Sequence, residues 1–181
     1  MTGPAVVVLA SGRGDRFLAS GGQGSKLRAL LAGKPVLQHT LEAVRASGLP
    51  WHLEDAGHPG MGDSIAAGVR ATADAGGWLI LPGDLPLVRP ESLQRVAAAL
   101  TAGYGVVLPT HLRQQGHPVG FGPQCRQALL QLSGPHGAAP VARAQKAAGH
   151  ALAMELDDPG VVTDIDTLAD LARAEQALAV R

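Results

Sequence analysis

Four short stretches of this sequence carry the residue types best suited to chemistry. In Leu9-Ala10-Ser11-Gly12-Arg13-Gly14-Asp15-Arg16, which follows an apolar run, glycines let the backbone approach a ligand and two arginines offer charge-assisted donors to phosphate. Pro82-Gly83-Asp84-Leu85-Pro86 fixes one carboxylate between two prolines where a buried strand should end, a position suited to holding a divalent cation against phosphate oxygens. Asp164-Ile165-Asp166-Thr167 sets two carboxylates just before a helix, and one of them could complete a metal site with Asp84. Gly116-His117-Pro118-Val119-Gly120-Phe121 places a histidine at the entry to a strand, within reach of an anionic ligand. Each stretch also has a plainer reading: a glycine-rich turn with solvated arginines, a strand-terminating turn, a helix cap at Asp166 or Thr167, and a turn histidine.

Several other chemistries are excluded by spacing or number. Gly12-Arg13-Gly14-Asp15-Arg16-Phe17 ends in Phe where a dinucleotide fingerprint needs Gly, which argues against NAD. Gly21-Gly22-Gln23-Gly24-Ser25-Lys26 has no buried strand leading into it and is not a Walker loop. The single cysteine, Cys125, forbids an intramolecular disulfide or a thiolate zinc cluster and fits a reducing compartment. His58, His111 and His136 follow no metal-ligand spacing and are read as surface or loop residues. Fifteen basic residues balance fifteen acidic ones, so no net positive field draws nucleic acid or an anionic membrane, and a small-molecule ligand is the better expectation. No apolar run approaches the roughly 20 residues of a membrane span and no basic leader precedes the first strand, so a cytoplasmic location is expected.

The scaffold beneath these residues is legible in the pattern of apolar positions. The 181 residues suffice for one domain, 1–181, and are few for two. Hydrophobic residues make up 46% and aromatics only 3%, so the core is built from Ala, Val and Leu, as in helix-covered sheets. Ala5–Ala10 and Trp78–Leu81 are short unbroken apolar runs, the mark of strands buried on both faces. Strands are also expected at 51–53, 105–109, 119–121 and 151–156. Helices are expected over 35–44, 64–75 (with Ser64 near its start), 90–101, 124–132, 138–147 and 167–179, two of them opened by Pro35 and Pro90. Ser11 to Ser25 reads as a polar, glycine-rich stretch. The alternation predicts a three-layer α/β/α fold with a mainly parallel sheet and its site at the carboxyl ends of the strands.

Read in order, these motifs resemble the MobA/MocA-like nucleotidyltransferases, and among them the molybdenum cofactor cytidylyltransferases most. The resemblance runs through Leu9–Arg16, Lys26-Leu27, Gly33-Lys34-Pro35-Val36-Leu37, Gly60-Met61-Gly62-Asp63-Ser64-Ile65, Pro82–Pro86, Gly116–Val119 and Asp164–Thr167, nearly the whole chain. It implies that the backbone from Leu9 through Ala10, Ser11, Gly12 and Arg13 to Gly14 cradles an NTP, with CTP favoured. Arg16 and Lys26 neutralise phosphate charge as pyrophosphate leaves. Asp84 is the principal Mg2+ ligand and Asp166, rather than Asp164, the second. Gly60, Met61 and Gly62 lie against the nucleoside with help from Ser64. Gly116, His117 and Pro118 help bind a molybdopterin-type phosphorylated acceptor. A monomer with a molybdoenzyme client would complete the picture.

The sequence departs from that family in three places. Leu18 to Ser25 lengthens the stretch before Lys26, which puts the lysine on a mobile segment expected to order with ligand. A strand-helix unit is missing between the first helix and Gly60-Met61-Gly62. The family's Gly-Asp-x-Gly-x-Arg stands here as Gly134-Pro135-His136-Gly137-Ala138-Ala139, without its acid and its arginine. These departures keep two alternatives open, transfer to another phosphorylated acceptor and a nucleotide-binding or maturation protein without turnover.

Overall fold

The computed structural model describes residues 3–12 and 14–180. β1 (Ala5–Leu9) leads through α1 (Asp15–Ala19) and a 3-10 turn at Lys26–Arg28 to a small hairpin, β2 (Leu30–Leu31) and β3 (Lys34–Pro35). Next come α2 (Val36–Ala46), β4 (Trp51–Glu54), α3 (Met61–Ala71), β5 (Trp78–Pro82) and α4 (Pro90–Thr101). The chain continues through β6 (Val106–His111), β7 (Gln114–Gln115), β8 (Val119–Phe121), α5 (Arg126–Leu130) and α6 (Ala139–Ala147). It closes with β9 (Ala151–Glu155) and α7 (Leu168–Ala179).

The main sheet has the order β4-β1-β5-β8-β6-β7, with β9 on the other side of β6. β1 pairs parallel with β4 and β5, and β6 pairs parallel with β9. β8 runs antiparallel to both β5 and β6, so those two strands point the same way. The sheet is therefore mostly parallel, with β8 and β7 opposed, and helices cover both faces.

Period-2 alternation sorts the strand residues between the two faces. Val6 and Val8 with Leu79 and Leu81 pack with Leu41 and Val44 of α2 and Leu93, Val96 and Leu100 of α4. Val7, Trp78 and Ile80 pack with Ile65 and Val69 of α3, Leu129 of α5 and Val141 of α6. Both faces are dry, and for that reason β1 and β5 read as continuous apolar runs rather than alternating ones. Each fully buried Val or Leu contributes about 1.5–3 kcal/mol relative to exposure.

The expected elements form, with shifted ends. α3 begins at Met61 rather than Ser64, because Gly60 is already its N-cap and Ser64 Oγ bonds back to the Gly60 carbonyl oxygen from inside the first turn. The stretch expected to be a polar loop contains α1, at Asp15–Ala19. β4 passes to α3 through residues 55–60 alone, the short connection expected from the sequence.

Candidate active site

Three parallel strands end level with one another. Leu9 is in register with Glu54 on one side and Pro82 on the other, so the segments beyond β1, β4 and β5 emerge at a single rim. Gly83 N donates to the Leu9 carbonyl oxygen at 2.9 Å, and Thr40 Oγ1, from α2, donates to the Gly83 carbonyl oxygen at 2.9 Å. These bonds fix the turn that carries Asp84. Ile165 N donates to the Asp84 carbonyl oxygen at 3.0 Å, which brings the 164–167 segment to the same place from the far end of the chain. The rim opens onto a cleft of about 930 Å³, large enough for a nucleotide and part of a second substrate.

One end of the cleft is a compact charged node. Lys26 Nζ donates to Asp84 Oδ2 at 2.6 Å and to Asp166 Oδ1 at 2.8 Å, and Arg16 Nη1 lies 2.7 Å from Asp166 Oδ2. The Lys26, Asp84 and Asp166 side chains are only 12%, 13% and 15% exposed, whereas Arg16 is 77% exposed and reaches in from the rim. Burial alone would push the Lys26 ammonium down, but the charge of Asp84 and the hydrogen bonds to both carboxylates outweigh it and hold its pKa above the ordinary lysine value. Burial likewise would raise Asp166, and the Lys26 hydrogen bond and charge pull it below the ordinary carboxylate value. Asp164, at the edge of the node, is pushed up by burial and by the hydrogen bond it shares with Asp166.

The structure separates the two plain readings of the 164–167 stretch. Thr167 caps α7: its Oγ1 accepts from Asp170 N at 3.2 Å, while Asp170 Oδ2 accepts from Thr167 N at 2.7 Å. The Asp166 carboxylate takes no part in the cap and faces the cleft.

Lys26 corrects the expectation of a mobile segment. Phe17 of α1 is 2% exposed and packs with Leu31, Val36, Leu87, Ile165 and Ala174, anchoring the segment on the hairpin and α7. Gly22 lies directly against it, where an added Cβ would clash with the Phe17 ring. Ser20 Oγ accepts from Leu168 N at 3.0 Å, and Ser25 Oγ accepts from Leu27 N to open the 3-10 turn that presents Lys26. Of the small residues that read as looseness, Gly22 is required by this packing, Gly21 and Gly24 hold positive φ, and Ser20 and Ser25 supply these hydrogen bonds.

The other end of the cleft is built largely from backbone. Gly62 N donates to the Gly134 carbonyl oxygen at 2.8 Å, and Gly134 N donates to Asp63 Oδ2 at 2.9 Å, so Gly60-Met61-Gly62 is docked on the altered Gly134–Ala139 stretch. Met61 is 53% exposed beside it. Ser64 Oγ lies 2.9 Å from Ser11 Oγ, tying α3 to the first loop.

His58 sits on the loop between β4 and α3, as expected, and lines this end of the cleft. Its Nε2 bonds Glu54 Oε1 at 3.0 Å, and the same buried carboxylate bonds His52 Nε2 at 3.2 Å and accepts from Ala56 N at 3.2 Å. Burial raises the Glu54 pKa, but these contacts outweigh it and hold the carboxyl below its ordinary value. The signal lies in Glu54-x-Ala56-x-His58, a pattern recognisable only once β4 is known to end at the rim.

Along the third side run Gly116 and His117, on the segment between β7 and β8, with a cis His117–Pro118 peptide. His117 N donates to the Val161 carbonyl oxygen at 2.8 Å, and the ring bonds the backbone of Ile80. Burial holds His117 below the ordinary histidine pKa against the pull of Asp84, and its Nδ1 is buried without a partner among the described residues. Leu9, Ser11, Gly12 and Gly14 line the cleft; Ala10 and the buried Pro118 do not, and Arg13 lies outside the described residues. Cys125 is buried beneath β6, its thiol pushed up to about 11 by burial, and takes no part in the cleft.

A mostly parallel three-layer sheet with paired acids, a lysine and a glycine-rich loop at the carboxyl ends of its strands defines a nucleotidyltransferase fold. A family model for the MobA-like NTP transferase domain matches residues 6–151, and the chain belongs to that family. Among curated proteins it is 31% identical over 124 residues to the bifunctional protein GlmU of Alkalilimnicola ehrlichii, across 56% of this chain and 26% of that one. It thus spans about a quarter of the length of the curated relatives it matches. Among solved structures, a nucleotidyl transferase from Methanothermobacter thermautotroptrophicus superposes with a TM-score of 0.82 at 22% identity over 100% of both chains. Molybdopterin-guanine dinucleotide biosynthesis protein A from Archaeoglobus fulgidus superposes at 0.67 with 18% identity, over 98% of this chain and 100% of that one. At such identities the two structures bear on the fold alone, and the family read from the ordered motifs is borne out. Among the described residues no helix is long and apolar enough to cross a membrane.

Proposed function

We propose that this chain is a Mg2+-dependent nucleotidyltransferase that moves a nucleoside monophosphate, CMP from CTP in the first instance, onto the phosphate of a molybdopterin-type pterin and releases pyrophosphate. The observation that carries this reading is the charged node, where two carboxylates and two cations from four separated segments meet at the strand ends. The donor set fits a hard divalent ion: Asp84 and Asp166 offer carboxylate oxygens, and Asp84 Oδ1 is buried without a partner among the described residues. When bound there, Mg2+ would supply charge neutralisation at the phosphates. Among the described residues no group of three or more His, Cys, Asp or Glu stands ready to enclose a metal, so the remaining ligands would come from triphosphate and water.

The chain's own residues have distinct tasks. Backbone from Leu9 to Gly14 takes the triphosphate, Arg16 and Lys26 meet its charge and that of departing pyrophosphate, and Gly60, Met61, Gly62 and Ser64 lie against the nucleoside. Gly116, His117 and Pro118 stand on the acceptor side, and a molybdoenzyme would be the eventual client. A phosphate nucleophile is already anionic near neutral pH, so in-line attack on the α-phosphorus needs positioning and electrostatic stabilisation rather than a strong base.

The altered Gly134–Ala139 stretch favours a second reading, the same transfer to a different phosphorylated acceptor such as a sugar phosphate. Pyrophosphate release measured with each NTP and Mg2+, against molybdopterin and against sugar 1-phosphates, separates the two. Absence of release with every acceptor, together with a nucleotide-induced rise in melting temperature, would instead favour a binding or maturation protein.

A further inference from the structure

We infer that Lys26 is a resident counter-cation of the metal carboxylates, so that a divalent ion binds this chain only together with a triphosphate that draws the lysine away. The inference rests on the metal-dependent transfer reading and adds a rule for the order in which its ligands assemble.

The position of the ammonium is the first ground. At the charged end of the cleft, Lys26 Nζ bridges Asp84 Oδ2 at 2.6 Å and Asp166 Oδ1 at 2.8 Å, joining the two carboxylates proposed as metal ligands. A divalent ion shared by those oxygens would occupy the same space at the same distance scale. The lysine is only 12% exposed and held by the 3-10 turn at Lys26–Arg28. Arg16 caps the outer oxygen of Asp166, so the four charges balance as they stand.

Charge balance sets the order of binding. A divalent ion entering alone would gather four positive charges, its own and those of Lys26 and Arg16, around Asp84 and Asp166 in a partly dry site, which Coulomb repulsion opposes. A triphosphate brings its negative charge to the Leu9–Gly14 loop beside Lys26, since the stem of Lys26 packs against Gly14, with Cγ 3.6 Å from where a Cβ would stand there. A swing of the flexible lysine stem then exchanges carboxylate partners for phosphate oxygens while the ion takes over Asp84 and Asp166. No covalent bond is made or broken in this exchange, and the positive charge of the ion replaces that of Lys26 beside the two carboxylates. The phosphate loop and the metal carboxylates are coupled through one side chain, and by linkage each ligand raises the affinity of the other by the same factor.

Mn2+ titrated against the full chain without nucleotide, read from the electron paramagnetic resonance of the free ion, tests this directly. The wild type is expected to bind Mn2+ weakly. Lys26→Met should bind it tighter by roughly tenfold or more, the scale of removing two charge-assisted bonds from the competing cation. Lys26→Arg, which keeps a cation, should stay near wild type, and Asp84→Asn added to Lys26→Met should erase the gain. Should Lys26→Met fail to fold by circular dichroism, Lys26→Gln makes the same comparison. Equal Mn2+ affinity in the wild type and the neutral variant overturns the inference. Because the titration involves no turnover, a tenfold gain in a chain that releases no pyrophosphate would sustain the inference and remove the transfer reading; unchanged affinity in a chain that does turn over would do the reverse.

Discussion

The two ends of the cleft are built on opposite principles. At the charged end, side chains from α1, the 3-10 turn, the β5 turn and the start of α7 converge, and each of Arg16, Lys26 and Asp166 is held by an ion pair of 2.8 Å or less. At the other end the wall is backbone, with Gly62 hydrogen-bonded to Gly134 and one imidazole, His58, steadied by a buried carboxylate. Tolerance to substitution is distributed accordingly. A charged node loses its chemistry when one partner is removed yet can keep the fold, whereas a backbone wall loses packing before it loses chemistry.

The largest effect should come from breaking the charged end. Asp84→Ala is expected to lower pyrophosphate release about a thousandfold, ~4 kcal/mol of transition-state stabilisation, with little change in melting temperature. At the backbone end the order reverses. An added Cβ at Gly62 would lie 2.8 Å from the Ser133 carbonyl, so Gly62→Ala should cost about 1–3 kcal/mol in urea unfolding before any effect on rate per folded molecule. His58→Ala should be milder, raising the KM for NTP about fivefold, ~1 kcal/mol, and leaving kcat unchanged; a fall in kcat would move His58 to the reacting end.

The smallest effect concerns pH. Burial holds the folded-state pKa of His117 below its ordinary 6.5, so the unfolded chain takes a proton that the folded chain resists. That contribution to stability is fully present above the ordinary value and is lost as pH falls toward the folded one. The unfolding free energy from urea titrations should therefore fall as pH drops below the ordinary histidine value of 6.5, and His117→Gln should flatten that slope.

Much of this was legible in the sequence, and the exceptions share a cause. β1 and β5 announce themselves because burial on both faces leaves unbroken apolar runs, and α4 because Pro90 opens it and its apolar residues recur at helical spacing. Asp84 was legible as a residue of the rim because the apolar run of β5 ends at Pro82, just before it. α1 was not: five residues carry no period, and the helix exists because Phe17 finds a pocket under α7, a contact about 150 residues away in sequence. The resemblance implied a phosphate role for Lys26, but its place as the bridge between Asp84 and Asp166 was not legible, since three segments meet there only through the sheet. Glu54 and His58 were missed because a buried glutamate looks like any surface glutamate until its partners are in place.

The role of the charged node is tested most sharply by pyrophosphate release from CTP with Mg2+ and molybdopterin, run on the wild type beside Asp84→Ala and Asp166→Ala. Acceptor-dependent release is expected from the wild type, with a loss of about a hundredfold or more in each variant. Release that persists unchanged in both variants would contradict that role, since the node would then have no part in the chemistry.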